Sequence, residues 1–425
     1  MERFNPRRRY GRLTQVRGPV MRAAFAGLSQ GAICEVWQSG CVKLLAEVVG
    51  IENEEVVLCP FSSGEGIAAG AVVSQSLDEL TIPVGRPLLG RVVDAFGMPL
   101  DGLGQLSPGV ARRSIKGPVP PAMERPLIDQ PLPTGLRAID GTMTLGRGQR
   151  VGIFGPPGAG KSTLIAAISR HTVADVIVIG FVGERGREVR EFVERDLPPK
   201  ARDRVVVVAA TSDRPAIERA LCAHSATAVA EGFRDEGLSV LLLVDSLTRT
   251  ARALREIGLA AGEAPTRRGF PASVYPALPA IIERAGRHTN GDITALYTVL
   301  LEDEKQADPI AEEVKSLTDG HFQLSRALAE KGHYPALDVL ESLSRSMSSI
   351  VSEAHIAAAS RLRARLAKYR EIELLLQIGE YESGGDPEAD AAIAAKDPID
   401  AFLRQSANDT LSFDRIVSSM QKAAP

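Results

Sequence analysis

The chain reads as an α/β protein with three parts: a small N-terminal β-barrel, a central doubly wound domain and a C-terminal helical domain. Three observations carry this. First, Arg150–Arg170 (RVGIFGPPGAGKSTLIAAISR) runs apolar strand, glycine loop, apolar-periodic helix. Second, four further runs, Val176–Val182, Val205–Ala210, Leu238–Val244 and Ile293–Leu301, are continuously apolar, as in parallel strands covered on both faces. Third, short β-like segments precede residue 85 and helical periodicity dominates beyond about residue 348.

The expected divisions are residues 1–84 for a barrel with an assembly role and 85–149 for a linker. Residues 150–347 form the nucleotide domain and 348–425 the helical domain. In the first, Ala32–Trp37, Val42–Val49 and Glu55–Cys59 are strand-like, with Ser39-Gly40 and Asn53 between them. The second is punctuated by Gly85-Arg-Pro87, Gly97-Met-Pro99, Gly117-Pro-Val-Pro-Pro121 and Pro126–Pro133. A short helix is expected over Thr134–Asp140. Pro215–Phe233 is amphipathic, with Ile217, Leu221, Val229 and Phe233 on spaced turns. In the last part Leu362, Leu366, Tyr369, Ile372 and Leu376 recur at three- and four-residue steps. A further short helix is expected around Ala401–Leu403.

Composition excludes several classes. With 425 residues, 44% hydrophobic, 24% charged and a net charge of −3, the chain is globular and lacks the basic field that nucleic acid requires. Cys34, Cys41, Cys59 and Cys222 form no CxxC pair and read as scattered thiols of a reducing compartment. Apolar runs such as Val240–Val244 are too short to span a bilayer, and MERFNPRRRYGR has no signal-like apolar region. Arg7, Arg8, Arg9 and Arg12 form a basic tail that is either solvated or set against anionic lipid or another subunit.

Chemistry concentrates at the glycine loop. Gly155, Gly158, Ala159, Gly160, Lys161, Ser162 and Thr163 form a phosphate-binding loop. Backbone N–H groups turn inward there, and the helix that follows points its positive end at the same anion. Lys161 is placed to reach the β/γ-phosphates and Ser162 to ligate Mg²⁺. In doubly wound sheets the ligand sits at the carboxyl ends of the strands. Carboxylates stand there after three runs: Glu184, Asp245, and the pair Glu302 and Asp303. Asp245 closes Leu-Leu-Leu-Val-Asp, the position of a metal-associated aspartate. Glu184 either orients an attacking water or closes a surface ion pair with Arg185 or Arg187.

Beyond the loop, Gly183-Glu-Arg-Gly-Arg-Glu-Val189, Val244-Asp-Ser-Leu-Thr-Arg249, Gly332-His-Tyr-Pro-Ala-Leu-Asp338 and Ser342-Leu-Ser-Arg345 resemble the rotary-type ATPases. Within them the chain is most similar to the ATPases of type III protein secretion, with the flagellar export ATPases as near relatives. Leu89–Gly97, Arg268–Val274, Leu317–His321 and Glu373–Asp390 extend the resemblance from about Tyr10 to the C-terminus.

The resemblance implies a RecA-like core and Mg²⁺-dependent ATP hydrolysis by a homohexamer. It implies that Glu184 activates the water, that Asp245 serves the metal through water, and that Arg185 and Arg249 lie by the γ-phosphate. Arg345 would be an arginine finger entering a neighbouring copy, and Tyr334 would stack on adenine. It implies a cytoplasmic protein held at the inner membrane by a secretion apparatus. Expected partners are central stalk and peripheral stator proteins, chaperone–effector complexes and an inner-membrane export gate, with no nucleic acid. Flagellar export and the catalytic subunit of a rotary synthase are the alternative roles. Two departures stand out. Pro156 and Pro157 remove N–H groups from the loop. Ser406, Ala407 and Asn408 stand where the synthase places a second adenine-facing aromatic.

Overall fold

The computed structural model describes residues 9–302, 307–406 and 409–424. Arg7, Arg8, Asp303, Ala407 and Asn408, singled out above, lie outside the described residues.

Six strands close a barrel in the order β1-β2-β5-β4-β3-β6. They are β1 (Tyr10–Arg17), β2 (Val20–Ala24), β3 (Ile33–Gln38), β4 (Cys41–Glu52), β5 (Glu55–Pro60) and β6 (Val72–Gln75). Inward positions hold Leu13, Met21, Val36, Val48, Leu58 and Val73, all buried. Closure leaves no unpaired sheet edge.

The segment read as a linker does more than connect. Its β7 (Thr81–Pro83) pairs with β9 (Arg112–Ser114), and its β8 (Val92–Val93) joins the edge of the central sheet. Strands of two or three residues carry no periodicity, so the sequence gives no signal for them. Arg284 and Glu231 form a fully buried ion pair at 2.9 Å beneath this segment. Arg284 donates to the carbonyl of Ile115, and Arg113 donates to Glu231. The linker is thereby fixed to the core rather than left loose.

The central sheet orders its strands β17-β16-β10-β15-β13-β11-β12-β8, with β14 beside β15. Its members are β10 (Arg150–Gly155), β11 (Val176–Val182), β12 (Val205–Ala210), β13 (Ser239–Asp245), β14 (Gly286–Arg287), β15 (Asp292–Leu300), β16 (Gly320–Leu324) and β17 (Leu337–Ser344). β10, β15, β13, β11 and β12 are mutually parallel. Every residue of β11, β12 and β13 is buried, which explains their unbroken apolar runs.

The helices up to the end of the sheet are α1 (Arg137–Thr142), α2 (Lys161–His171), α3 (Gly186–Glu191), α4 (Pro199–Arg202), α5 (Ala216–Asp235), α6 (Leu247–Ala261), α7 (Val274–Ile282), α8 (Pro309–Leu317) and α9 (Arg326–Glu330). One face of the sheet packs on α5, α6 and α7 through Leu221, Val229, Phe233 and Leu278. The other face packs on α2 and the C-terminal helices through Leu164, Ile168, Phe402 and Met420. Each such side chain contributes about 1.5–3 kcal/mol over leaving it exposed.

The chain ends in α10 (Met347–Ile350), α11 (Glu353–Ile378), α12 (Pro387–Leu403) and α13 (Phe413–Ala423). Ser352 caps α11, and Gly379 ends it in the left-handed conformation at φ 75°. The short helix expected at Ala401–Leu403 is the last turn of the 17-residue α12, which accommodates Pro398. Among the described residues no helix is long and apolar enough to cross a membrane.

Candidate active site

The loop between β10 and α2 supplies the first wall. Gly158 and Gly160 have φ of 82° and 88°, values that L side chains avoid. Pro156 is buried, and its carbonyl accepts from the Ala159 N–H at 3.3 Å, so the first proline helps form the turn. Ser162 and Thr163 open α2 and are exposed, as ligand groups at a helix N-terminus must be.

Lys161 is the first helical residue, and its side chain is only 10% exposed. Its Nζ lies 4.0 Å from Asp245 Oδ1. Burial lowers the Lys161 pKa, while Asp245 and then Glu184 hold it up. Asp245 ends β13 and is fixed by Thr298, whose hydroxyl donates to Oδ1 at 2.5 Å from the neighbouring β15. Oxygen donors at Ser162 and Asp245 on one cavity wall suit a hard divalent cation.

Glu184 follows β11 and faces the same cavity of about 220 Å³, with Ser162, Asp245, Glu188, Phe181 and Phe192. Burial first, then the Asp245 charge and a hydrogen bond with Glu188, push its carboxyl from the ordinary 4.5 up to about 7. Its cationic partner is Arg249, whose Nη2 donates to Glu184 Oε2 at 3.0 Å. Arg249 also donates to the Gly183 carbonyl. The surface-pair alternative is not what forms. Arg185 pairs with Glu188 and Arg187 with Glu191, both arginines largely exposed while the two carboxylates line the cavity. Arg185 is 79% exposed, and its partner Glu188 in turn hydrogen-bonds Glu184.

Tyr334 sits against the loop. A Cβ on Gly160 would meet its ring at 3.3 Å. Tyr334 is 41% exposed, leaving area for a stacked base. Its placement depends on a residue the sequence reading did not single out. Gln405 donates its backbone N–H to the Tyr334 carbonyl at 2.8 Å. The Gln405 side chain accepts from Arg137 N and donates to the Gly135 carbonyl, each at 2.8 Å. Gly135 is held in turn by buried Asp140, which accepts from Thr134 and Gly135 N–H groups. Glu188 and Thr298 were missed as well. Glu188 stands within the quoted Gly183–Val189 motif, whereas Thr298 meets Asp245 only through sheet register.

Arg345 lies elsewhere. Its backbone N–H donates to Asp319 O at 3.0 Å, and Asp319 N donates to Arg150 O at 2.8 Å. Arg150 begins β10 and Gly155 ends it. Five residues of strand, roughly 17 Å, therefore separate Arg345 from the glycine loop on the opposite edge of the sheet. Arg345 is exposed, and its guanidinium has no hydrogen-bond or ion-pair partner among the described residues.

Larger clefts exist. One of about 430 Å³ separates the barrel from α5 and α6, and one of about 320 Å³ separates β17 from α11 and α12. Neither holds the convergence of lysine, hydroxyl and carboxylates on a glycine loop.

Comparison with known proteins places the chain in a family. A family model described as "ATP synthase alpha/beta family, nucleotide-binding domain" matches residues 135–344, and the beta-barrel domain of that family matches 13–76. The "T3SS EscN ATPase C-terminal domain" matches 351–422. A type 3 secretion system ATPase of Xanthomonas euvesicatoria is 52% identical, over 96% of this chain and 92% of its own length. One from Sinorhizobium fredii is 48% identical over 97% and 91%. The chain belongs to the type III secretion ATPases.

As a type III secretion ATPase it is an ATP-binding, ATP-hydrolysing enzyme of the type III secretion apparatus. A flagellum-specific ATP synthase of Bacillus subtilis is a more distant relative, 44% identical over 97% of this chain and 94% of its own length. The assembled ATPase EscN of enteropathogenic E. coli superposes with a TM-score of 0.93 at 44% identity, covering 98% of this chain and all of that one. A second structure holds EscN in complex with its central stalk EscO, with a TM-score of 0.88, 44% identity and the same coverage. The barrel, parallel-sheet core and helical end of this secretion ATPase share that architecture. Glu184, Asp245 and Tyr334 lie inside the matched nucleotide-binding domain, and Gln405 inside the matched C-terminal one.

Proposed function

We propose that six identical chains form a ring that hydrolyses ATP at the subunit interfaces, each site borrowing Arg345 from its neighbour. The observation carrying this is the separation of Arg345 from Lys161 on opposite edges of one sheet. No side-chain movement spans roughly 17 Å, so the finger of one chain serves the loop of another.

Within one site, the loop N–H groups and Lys161 hold the phosphates. Glu184 orients the attacking water and accepts its proton, a task for which a carboxyl pKa near neutrality is suited. Arg249 keeps Glu184 aimed at the cavity, and Arg345 of the neighbour adds positive charge where the phosphoryl oxygens need it. Mg²⁺, held by Ser162 and through water by Asp245, would neutralise phosphate charge when bound with ATP. Arg185 serves at the rim, and Tyr334 packs on the adenine.

The divisions 1–84, 85–149, 150–347 and 348–425 are the working domain limits. In the cell the ring would sit on the cytoplasmic side of the inner membrane and engage a central stalk, as EscN engages EscO. Stator proteins, chaperone–effector complexes and the export gate would complete its surroundings. Hydrolysis would then release or unfold the exported proteins.

Lys161→Ala should abolish nucleotide binding and turnover together. Arg345→Ala should abolish turnover while mant-ADP binding persists. Full turnover by Arg345→Ala rings would refute the shared site.

A further inference from the structure

Two of the most exposed large apolar side chains among the described residues are Met123 and Leu127, at 96% and 85%. They belong to one short strap between the barrel and α1. The strap is anchored between these residues, at Arg125, and at Leu127 itself. Arg125 pairs with Glu283 at 2.7 Å and also donates to its carbonyl. Arg287 donates to the Leu127 carbonyl at 2.8 Å. Neither apolar side chain folds back onto the chain that carries it. Because the backbone is already pinned, docking has only the two side chains left to order.

The same anchors lead to Arg345. Glu283 also forms an ion pair with Arg150 at 2.5 Å, Arg150 pairs with Asp319 at 3.0 Å, and Asp319 O accepts from Arg345 N. Ile128 of the strap lies under Gly146, where an added Cβ would meet Ile128 at 2.4 Å, with Ile350 and Ser346 next nearest. Strap and Arg345 thus share one rigid face at the amino-terminal edge of the sheet.

We infer that Met123 and Leu127 dock on a second copy of this chain, flanking the point where Arg345 enters that copy's nucleotide site. The inference rests on the reading that Arg345 acts in the neighbour. That reading carries the whole face with it, because the ion-pair series leaves the strap no independent position. The apolar pair supplies the desolvated contact, and Arg345 the charge, of one continuous interface.

The test is sedimentation velocity across a protein concentration series. It compares the wild type, Met123→Ser/Leu127→Ser and Arg345→Ala, with turnover measured alongside. The double variant should need about tenfold more protein to assemble, and its turnover should return to within twofold of wild type once assembled. Its mant-ADP affinity should be unchanged, which separates an interface defect from misfolding. As a second measurement, benzoylphenylalanine replaces Met123 and the rings are irradiated. A covalent dimer of the chain is the expected product. Assembly of the double variant at wild-type concentrations, or confirmed rings that give no covalent dimer, would overturn the inference. Arg345→Ala should assemble normally without turnover. If it turns over fully, the shared-site reading fails while the strap result still stands on assembly alone.

Discussion

Arg249 Nη2 lies 3.0 Å from Glu184 Oε2, and that contact favours the charged form of the water-side carboxylate. Arg249 is the group that lowers the Glu184 pKa against burial and the Asp245 charge. Arg249→Ala should therefore move the acidic limb of the pH profile of kcat/KM to higher pH, by up to about one unit. Turnover at pH 7 should fall. An unmoved limb would show that Arg249 does not act through Glu184.

Glu184→Gln should bind ATP and lose about 10²–10⁴-fold in turnover, with the acidic limb near pH 7 gone. The linkage sign also gives a stability prediction. The folded carboxyl titrates at about 7 and an ordinary one at 4.5, so folding favours the protonated form. Stability is therefore lost as pH rises from 4.5 to 7. Removing the charge should stabilise the variant by about 3 kcal/mol at pH 8 and by under about 1 kcal/mol at pH 5. Thermal unfolding at the two pH values measures the difference. Equal shifts at both would contradict the raised pKa.

Much of this was legible in the residues. The loop motif, the strand-ending Glu184 and Asp245, and the buried parallel strands announce themselves because local chemistry and full burial leave local patterns. Contacts created by register or by distant chain segments leave none. Thr298 reaches Asp245 because β15 lies beside β13, and Arg249 reaches Glu184 across 65 positions. Strands β16 and β17 alternate at a half-exposed edge, so they lack the continuous apolar signature of the strands inside.

Gln405 is such a distant contact, and it should behave as a positioning residue for the base. Gln405→Ala removes hydrogen bonds to Gly135 and Arg137 behind Tyr334 and should raise KM for ATP roughly tenfold, with kcat within threefold. His355 also ties the C-terminal helices to α1, through Gly141 O at 2.8 Å, but away from Tyr334. His355→Ala should lower Tm without the KM change. Equal KM effects from both would reduce Gln405 to general stability.

Gly160 should tolerate no side chain. Gly160→Ala places a Cβ at 3.3 Å from the Tyr334 ring on a backbone with φ 88°. Loss of mant-ADP affinity by at least about tenfold is expected, from strain of 1–2 kcal/mol or more. Wild-type affinity would mean that the loop relaxes freely and that Tyr334 is not held against it.

The shared site is tested most directly by mixing two variants, Glu184→Gln and Arg345→Ala, in equal amounts and letting rings form. Roughly one quarter of random interfaces then pair an intact Glu184 with an intact Arg345. The account predicts that about this fraction of wild-type turnover returns, far above the residual turnover of either variant alone. No turnover in mixed rings whose assembly is confirmed would contradict it.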